Sequence, residues 1–368
     1  MNQTKTIMSN DIKWPEIFSL GSLSAAIAIS WIAYHEYQPI LLEDFDLYHL
    51  SNFLVISKGI ILVITPPLAG LLADYLLKKN GKFFILFTVG IGATAMIFMV
   101  VASIIGAGPT SGIEPFLPYM IVLWLISMNL FVSPAYSMIE SFAPIQKLPI
   151  VMGFIFMVTE LIYALEPIVV LLVQFFGDTL TFVVGGILIS GTGYLFHRIS
   201  SNEVISRKKE LIREISQPVS VGSYLTIIVI GLVLGLGKAI LVEILPGLIA
   251  NKFPAYEDSG SFIAFGLMGF AAILAFLLSR YVVKVGVEKT LIQSFVLLMI
   301  GSGLLFTSFN LWIAIGGGVI ISVAFSLINI SGLPFAISKL SVKHITYGVG
   351  VYLGASEIFG GIIEYINL

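Results

Sequence analysis

The sequence predicts an all-α polytopic membrane protein made of two parallel-repeat helical bundles, six spans in the first and five in the second. Composition, the length of the apolar runs and residue frames that return in the second half predict it. Of the 368 residues, 58% are hydrophobic and 11% charged, against roughly a quarter charged in a soluble domain, and no water-soluble fold hides that much apolar surface. The 35 glycines and 15 prolines suit helices that pack closely or bend where neighbouring helices supply backbone partners.

The apolar runs fall at 17–40, 51–77, 83–106, 115–140, 148–175, 180–198, 221–246, 260–282, 288–308, 311–338 and 346–368. A helix rising 1.5 Å per residue crosses a hydrocarbon core of about 30 Å in about 20 residues, so each run is a span. The segments between them alternate in charge. With the N-terminus in the cytosol, all of the nineteen Lys and Arg except Lys58, Lys238 and Lys252 fall on the cytosolic side, a strong positive-inside pattern that also supports the number of spans. The polar stretch from Met1 to Pro15, with Lys5, Asp11 and Lys13, reads as a cytosolic tail. The expected location is a multi-pass insertion in a bacterial inner membrane, with the C-terminus as shown on the outer side.

Residues 1–199 form the predicted first bundle and 220–368 the second. Between them, 200–219 is rich in charge, and Val204, Ile205, Leu211, Ile212 and Ile215 recur near helical spacing, which predicts an amphipathic linker helix on the cytosolic surface. The halves repeat. Glu36-Tyr37-Gln38-Pro39 in the first span returns as Glu243-Ile244-Leu245-Pro246 in the seventh. The end of the second span, Asp74-Tyr75-Leu76-Leu77-Lys78, matches Arg280-Tyr281-Val282-Val283-Lys284 in the eighth. Gly153 precedes Glu160 by seven residues, as Gly350 precedes Glu357. Matches in the same order and direction indicate two parallel repeats about an axis along the membrane normal.

Gly70-Leu71-Leu72-Ala73-Asp74-Tyr75-Leu76-Leu77-Lys78-Lys79 resembles the major facilitator signature G-x-L-x-D-R-x-G-R-K between helices two and three. Tyr75 replaces the usual Arg and Leu77 the usual Gly. The resemblance extends over essentially the whole chain. It implies a secondary transporter with Gly70, Asp74 and Lys78 in a conformational latch, and it implies twelve helices, of which the last is absent from this sequence.

Charge inside the spans marks the expected site. An ionisable side chain at the bilayer centre costs from about 2.5 to above 10 kcal/mol unless it is partnered or solvated. Glu160 and Glu357 fall near the midplane, Glu36, Glu166, Glu243 and Glu364 in the outer half, and the cations there are Lys58 and Lys238. Burial disfavours the ionised carboxylate, and an acid that loads and releases a proton as its exposure changes is what a proton-coupled carrier needs. The coupling candidates are therefore Glu160, Glu357, Glu166 and Glu36, with Lys238 as the cation that keeps one acid ionised. Trp31, Tyr34 and Gln38 share one face of the first span. With Tyr136, Tyr163, Lys238 and Glu243 they are the candidate lining of a substrate cavity. Ser133-Pro134 and Ser331-Gly332-Leu333-Pro334 are expected bends.

Cysteine is absent and the four histidines have no zinc spacing. No phosphate-binding glycine loop and no basic nucleic-acid domain are present, so no enzymatic activity, metal or organic cofactor is expected. The expected partners are a small solute and the bilayer, and the expected function is ion-coupled transport of a small organic solute, with the proton as the ion. Two alternatives stand beside it: a proton-driven exporter of amphiphilic compounds, and a non-transporting subunit or sensor on a transporter fold.

Overall fold

The structure is a computed structural model and describes residues 11–108, 112, 114–213 and 219–366. The first ten residues, including Lys5, and linker residues 214–218, including Ile215, lie outside the described residues.

Eleven helices are long and apolar enough to cross a membrane among the described residues. They are α1 (Trp14–Asp44), α2 (Ser51–Asn80), α3 (Phe84–Ala107), α4 (Leu117–Ser137), α5 (Leu148–Ala164 and Glu166–Phe176), α6 (Asp178–Arg213), α7 (Val221–Ala239 and Leu245–Lys252), α8 (Gly260–Val285), α9 (Val287–Thr307), α10 (Leu311–Ser338) and α11 (Ile345–Ser356 and Ile358–Ile366). Proline in the first turn opens α1, α4 and α5, where its missing N–H has no intrahelical partner to lose. Ser220 and Asn310 cap α7 and α10 with side-chain oxygens. Large apolar side chains such as Phe175, Phe262, Ile292 and Trp312 point outward. The chain is an integral, multi-pass membrane protein.

The packing obeys the repeat. Within the first bundle α2 packs on α4, α3 on α4 and α1 on α5. Within the second, α8 packs on α10, α9 on α10 and α7 on α11. Between bundles α2 meets α11 and α5 meets α8, and these two seams map onto each other when α2 is matched to α8 and α5 to α11. At the seams the two glycines that precede Glu160 and Glu357 are the points of closest approach. A Cβ on Gly153 would stand 2.9 Å from the Ala275 carbonyl oxygen, and one on Gly350 would collide with the Pro66 carbonyl oxygen, so only a residue without a side chain lets these backbones touch.

Among the described residues α5, α7 and α11 are interrupted within their spans, and α4 breaks at Met138 before a last short helix, Ile139–Phe142. Pro167 ends the first part of α5 at Leu165. Pro246 of α7 is preceded by a π-helical turn, Ile240–Ile244, that carries Glu243, because the proline ring and missing N–H break the regular ladder one turn upstream. In α11 the interruption falls on Glu357 itself, with no proline nearby. The bends expected in α4 and α10 take another form, since both helices run on through Pro134 and Pro334. Pro39 likewise leaves α1 continuous.

The surface linker is corrected in part. From Tyr194 onward no Gly or Pro occurs until Pro218, so α6 does not stop at 199 but continues to Arg213 as one helix of 36 residues. Ser200, Val204 and Arg207, at i, i+4 and i+7, are buried. That face packs against the bundle and not against a lipid headgroup layer. It leads to an expected result. A chain cut after residue 216 and expressed as two pieces assembles, and a chain cut after Ser201, which separates Arg207 from the first bundle, assembles poorly. Co-purification of the two pieces measures the difference, and equal recovery from both cuts would show that the α6 extension is a passive tether.

Candidate functional site

The end of the molecule bearing Lys78, Lys79, Lys82, Arg280 and Lys284 is termed the basic end. Here α2 and α11 are locked. Asp74, in the last turns of α2, accepts a hydrogen bond from the backbone N–H of Tyr347 at 2.9 Å. Tyr347 belongs to the first turn of α11, whose N–H groups have no partner inside the helix and carry its positive dipole end. A carboxylate of one bundle thus caps a helix of the other. Gly70, one turn earlier, allows this by bringing the α2 backbone against Thr346 and Tyr347.

The cation of this lock is Arg207, which the charge pattern places in the amphipathic surface linker. Its side chain is fully buried, 3.9 Å from Asp74 and 3.8 Å from Glu140. It donates to Ser137 Oγ and Thr346 Oγ1, each at 3.1 Å, and lies over the Phe83 ring. One guanidinium therefore joins α2, α4, α6 and α11. Lys78, expected in the latch, is exposed. The extension of α6 is further tied down by Glu203, whose carboxylate is 2.5 Å from Lys13 Nζ.

Above the lock, Phe156 of α5 and Phe325 of α10 meet edge to face with centroids 5.3 Å apart, both buried, so the bundles touch through dry side chains. One turn further along α5 stands Glu160. Its side chain is buried and its Oε2 has no hydrogen-bond partner among the described residues. Lys238 of α7 and Glu357 of α11 lie within electrostatic reach of it. Lys238 Nζ is 4.0 Å from Glu357 Oε1 and 5.9 Å from the centre of the Tyr163 ring. Tyr136 places its hydroxyl 3.1 Å from Ser24 Oγ on α1 and is also in reach of Glu160. Glu160, Tyr163, Lys238, Glu357 and Tyr136 are thus gathered from both bundles.

This gathering surrounds an interior space. The side chains of Lys238 and Glu357 keep 42% and 34% of their surface accessible although both lie midway along their spans, and His35 of α1 is exposed beside Trp31. The space opens toward the end opposite the basic one. There the second parts of α5 and α7 pack within their own bundles, Glu243 is exposed and Glu166 is half-buried. At that end α2 and α11 still meet: Gly59 lies against Gly361, and Lys58 Nζ, buried, sits 2.8 Å from Glu364 and 3.2 Å from His35 Nε2.

Other expected lining residues lie elsewhere. Tyr34 turns into the first bundle, where its ring stacks on Trp124 at 5.0 Å and 17°. With Gln38, Phe98 and Phe182 it lines a void of about 20 Å³, room for about one water molecule. Trp31 and Tyr34 both lie against His35, with ring centres 5.9 and 5.4 Å away, and Gln38 faces the void inside the first bundle. Glu36 accepts a hydrogen bond from Gln174 at 2.8 Å at the far rim, near Glu166 and away from Glu160. The frame Asn129-x4-Pro134 in α4 is repeated as Asn329-x4-Pro334 in α10, a further match between the halves. Both asparagines are buried and donate to the carbonyl four residues back, at 2.8 and 3.0 Å.

No family model matches the chain, and no curated protein matches it in sequence. Solved structures do. The human organic anion transporter MFSD10 (TETRAN) superposes with a TM-score of 0.72 at 10% identity, over 96% of this chain and 92% of its own. The proton:xylose symporter XylE gives 0.63 at 14%, over 97% and 88%. The nucleoside transporter NupG gives 0.53 at 14%, over 95% and 91%. The class of protein is therefore a two-bundle helical membrane protein with an interior space between its halves. Its fold is that of the major facilitator transporters.

Proposed function

We propose that this chain is a proton-coupled secondary transporter that moves a small organic solute by alternating access through the space between its bundles, with the basic end in the cytosol. The observation that carries this reading is Glu160, a carboxyl midway along its span with a buried oxygen that has no hydrogen-bond partner among the described residues, close to the ion pair of Lys238 and Glu357, whose side chains stay partly accessible between the bundles. A buried acid without a hydrogen-bond donor is costly as a carboxylate and cheap as a neutral acid. Rocking of the bundles would change its exposure to water and so its protonation, which ties proton movement to the conformational cycle. The functions of the three structural relatives, all transporters and one of them a proton symporter, support the class and leave the solute open.

The test is flux in proteoliposomes with and without an imposed pH gradient, using labelled sugars, nucleosides, amino acids and carboxylates. Glu160→Gln, which mimics the neutral acid in size and hydrogen bonding, is expected to keep exchange of solute down its gradient and to lose pH-driven accumulation. Full pH-driven accumulation by this variant would move the coupling site to another carboxylate, and the direction of solute flow against the proton gradient separates symport from export.

A further inference from the structure

Lys238 is held unlike the other paired lysines. Lys58 lies 2.8 Å from Glu364, Lys339 2.8 Å from Glu288 and Lys13 2.5 Å from Glu203, each within reach of a charge-assisted hydrogen bond. The Lys238 ammonium has three donors and makes no hydrogen bond among the described residues. Its nearest anion, Glu357, is 4.0 Å away, beyond the usual 2.7–3.2 Å of an N–H···O bond. The helix on either side is sealed: Gly235 abuts the Ser356 backbone, Gly237 abuts Phe325, and Ala239 and Leu241 are buried. The free surface of the ammonium therefore faces the interior space, with the Tyr163 ring beside it and Trp31 and Tyr136 part-buried in the same region.

We infer that the solute is a small organic anion, a carboxylate on an apolar or aromatic body, that takes the place of Glu357 on Lys238. This rests on the transport reading and supplies the solute's class. The carboxylate oxygens accept the hydrogen bonds that Lys238 now lacks, and the aromatic rings take the apolar body. Glu357 then loses its cation. The charged and titratable groups around it are Glu160 and Tyr163 on α5, Lys238 and Glu243 on α7, His35 on α1, Lys58 on α2 and Glu364 on α11. Lys58 is committed to Glu364, and among the described residues no second cation replaces Lys238. Glu357 therefore takes a proton from water in the space, and one anion and one proton load together with no net charge.

The experiment is titration calorimetry on the purified full chain with benzoate, octanoate and succinate against benzamide, octanamide and succinamide, repeated in buffers of different ionisation enthalpy to count protons. The anions are expected to bind with uptake of about one proton each, and the amides not to bind. Lys238→Gln lowers anion affinity at least about 30-fold, the effect of removing one partner of a desolvated charge pair, and Lys238→Arg retains binding. Glu357→Gln binds the anions at least as tightly and takes up no proton. The inference is overturned if the amides bind as well as the anions, if none of the three anions binds, or if Lys238→Gln binds unchanged. Should Lys238→Gln fail to fold, unchanged proton uptake in Glu357→Gln overturns it instead. In proteoliposomes, pH-driven flux of neutral or cationic solutes alone removes the anion assignment and keeps the transporter. Absence of any flux while anions still bind Lys238 removes the transporter and keeps the anion site.

Discussion

Replacing Arg207 with methionine is expected to open the basic end. The guanidinium is the cation between Asp74 and Glu140, and its side chain is fully buried. Removing one partner from a buried ionic cluster costs about 3–5 kcal/mol because the remaining charges stay buried without compensation. In this molecule the penalty has an outlet: separation of α2 from α11 lets water reach both carboxylates. The variant should therefore shift the bundles toward the basic-end-open arrangement by about a hundredfold or more, since each 1.4 kcal/mol is a factor of ten. The chain has no cysteine, so a single reporter can be introduced without background. Ser279→Cys, buried in the seam beside Gly153, should react with a maleimide at least about ten times faster in the Arg207→Met background. An unchanged rate in folded protein would mean that Arg207 supports the fold and does not set the conformational balance. Asp74→Asn keeps an acceptor for the α11 N-terminus and should move the rate in the same direction by less.

Gly350→Leu is expected to abolish transport while the protein still inserts and folds. The new side chain would start inside the Pro66 carbonyl, which is backbone and cannot rotate away. The two helices must separate over the basic half of the seam, and overpacking of this kind costs about 1–3 kcal/mol in the closed arrangement. The wedge leaves the open arrangement untouched, so the cycle stalls there. Solute flux should fall by more than tenfold, and the Ser279→Cys reporter should label rapidly whether or not a pH gradient is present. Gly303→Leu, where an added Cβ meets no atom within 4 Å, serves as the control and should transport normally. Normal flux in Gly350→Leu would show that the seam does not close so tightly during the cycle.

Much of this architecture was legible because hydropathy is a local signal. Each span needs only its own residues to be recognised, and the Asp74 segment carries its family resemblance within ten positions. Lys238, Glu160 and Glu357 could be singled out because charge at the midplane is expensive wherever it occurs. Relations between helices were harder to read. Arg207 sits in a run of charges that, on its own, describes a solvated surface; its partners Asp74, Ser137 and Thr346 are more than sixty residues away in either direction. Periodicity showed that Trp31, Tyr34 and Gln38 share a face, and it carries no information about which neighbour that face meets. Prolines stand at the interruptions in α5 and α7, although the bends were expected at the prolines of α4 and α10. The one in α11 at Glu357 has no proline, and α4 and α10 run on through theirs.

The length of α6 sets a limit on travel. At 1.5 Å per residue its 36 residues make a rod of about 54 Å, far longer than a core of about 30 Å, and its overhang is pinned to the first bundle by Lys13 and Arg207. The covalent path from the end of that rod to the start of α7 is only residues 214–220, which even fully stretched reaches about 25–30 Å. A loose strap between the bundles would allow them to part without restraint, whereas a stiff arm ending in a short leash acts as a stop. Inserting about twenty flexible residues at 216 should therefore widen the greatest separation of the bundles at the basic end, measurable as a longer tail in spin-label distances across the α2 and α11 seam, without altering the closed distance.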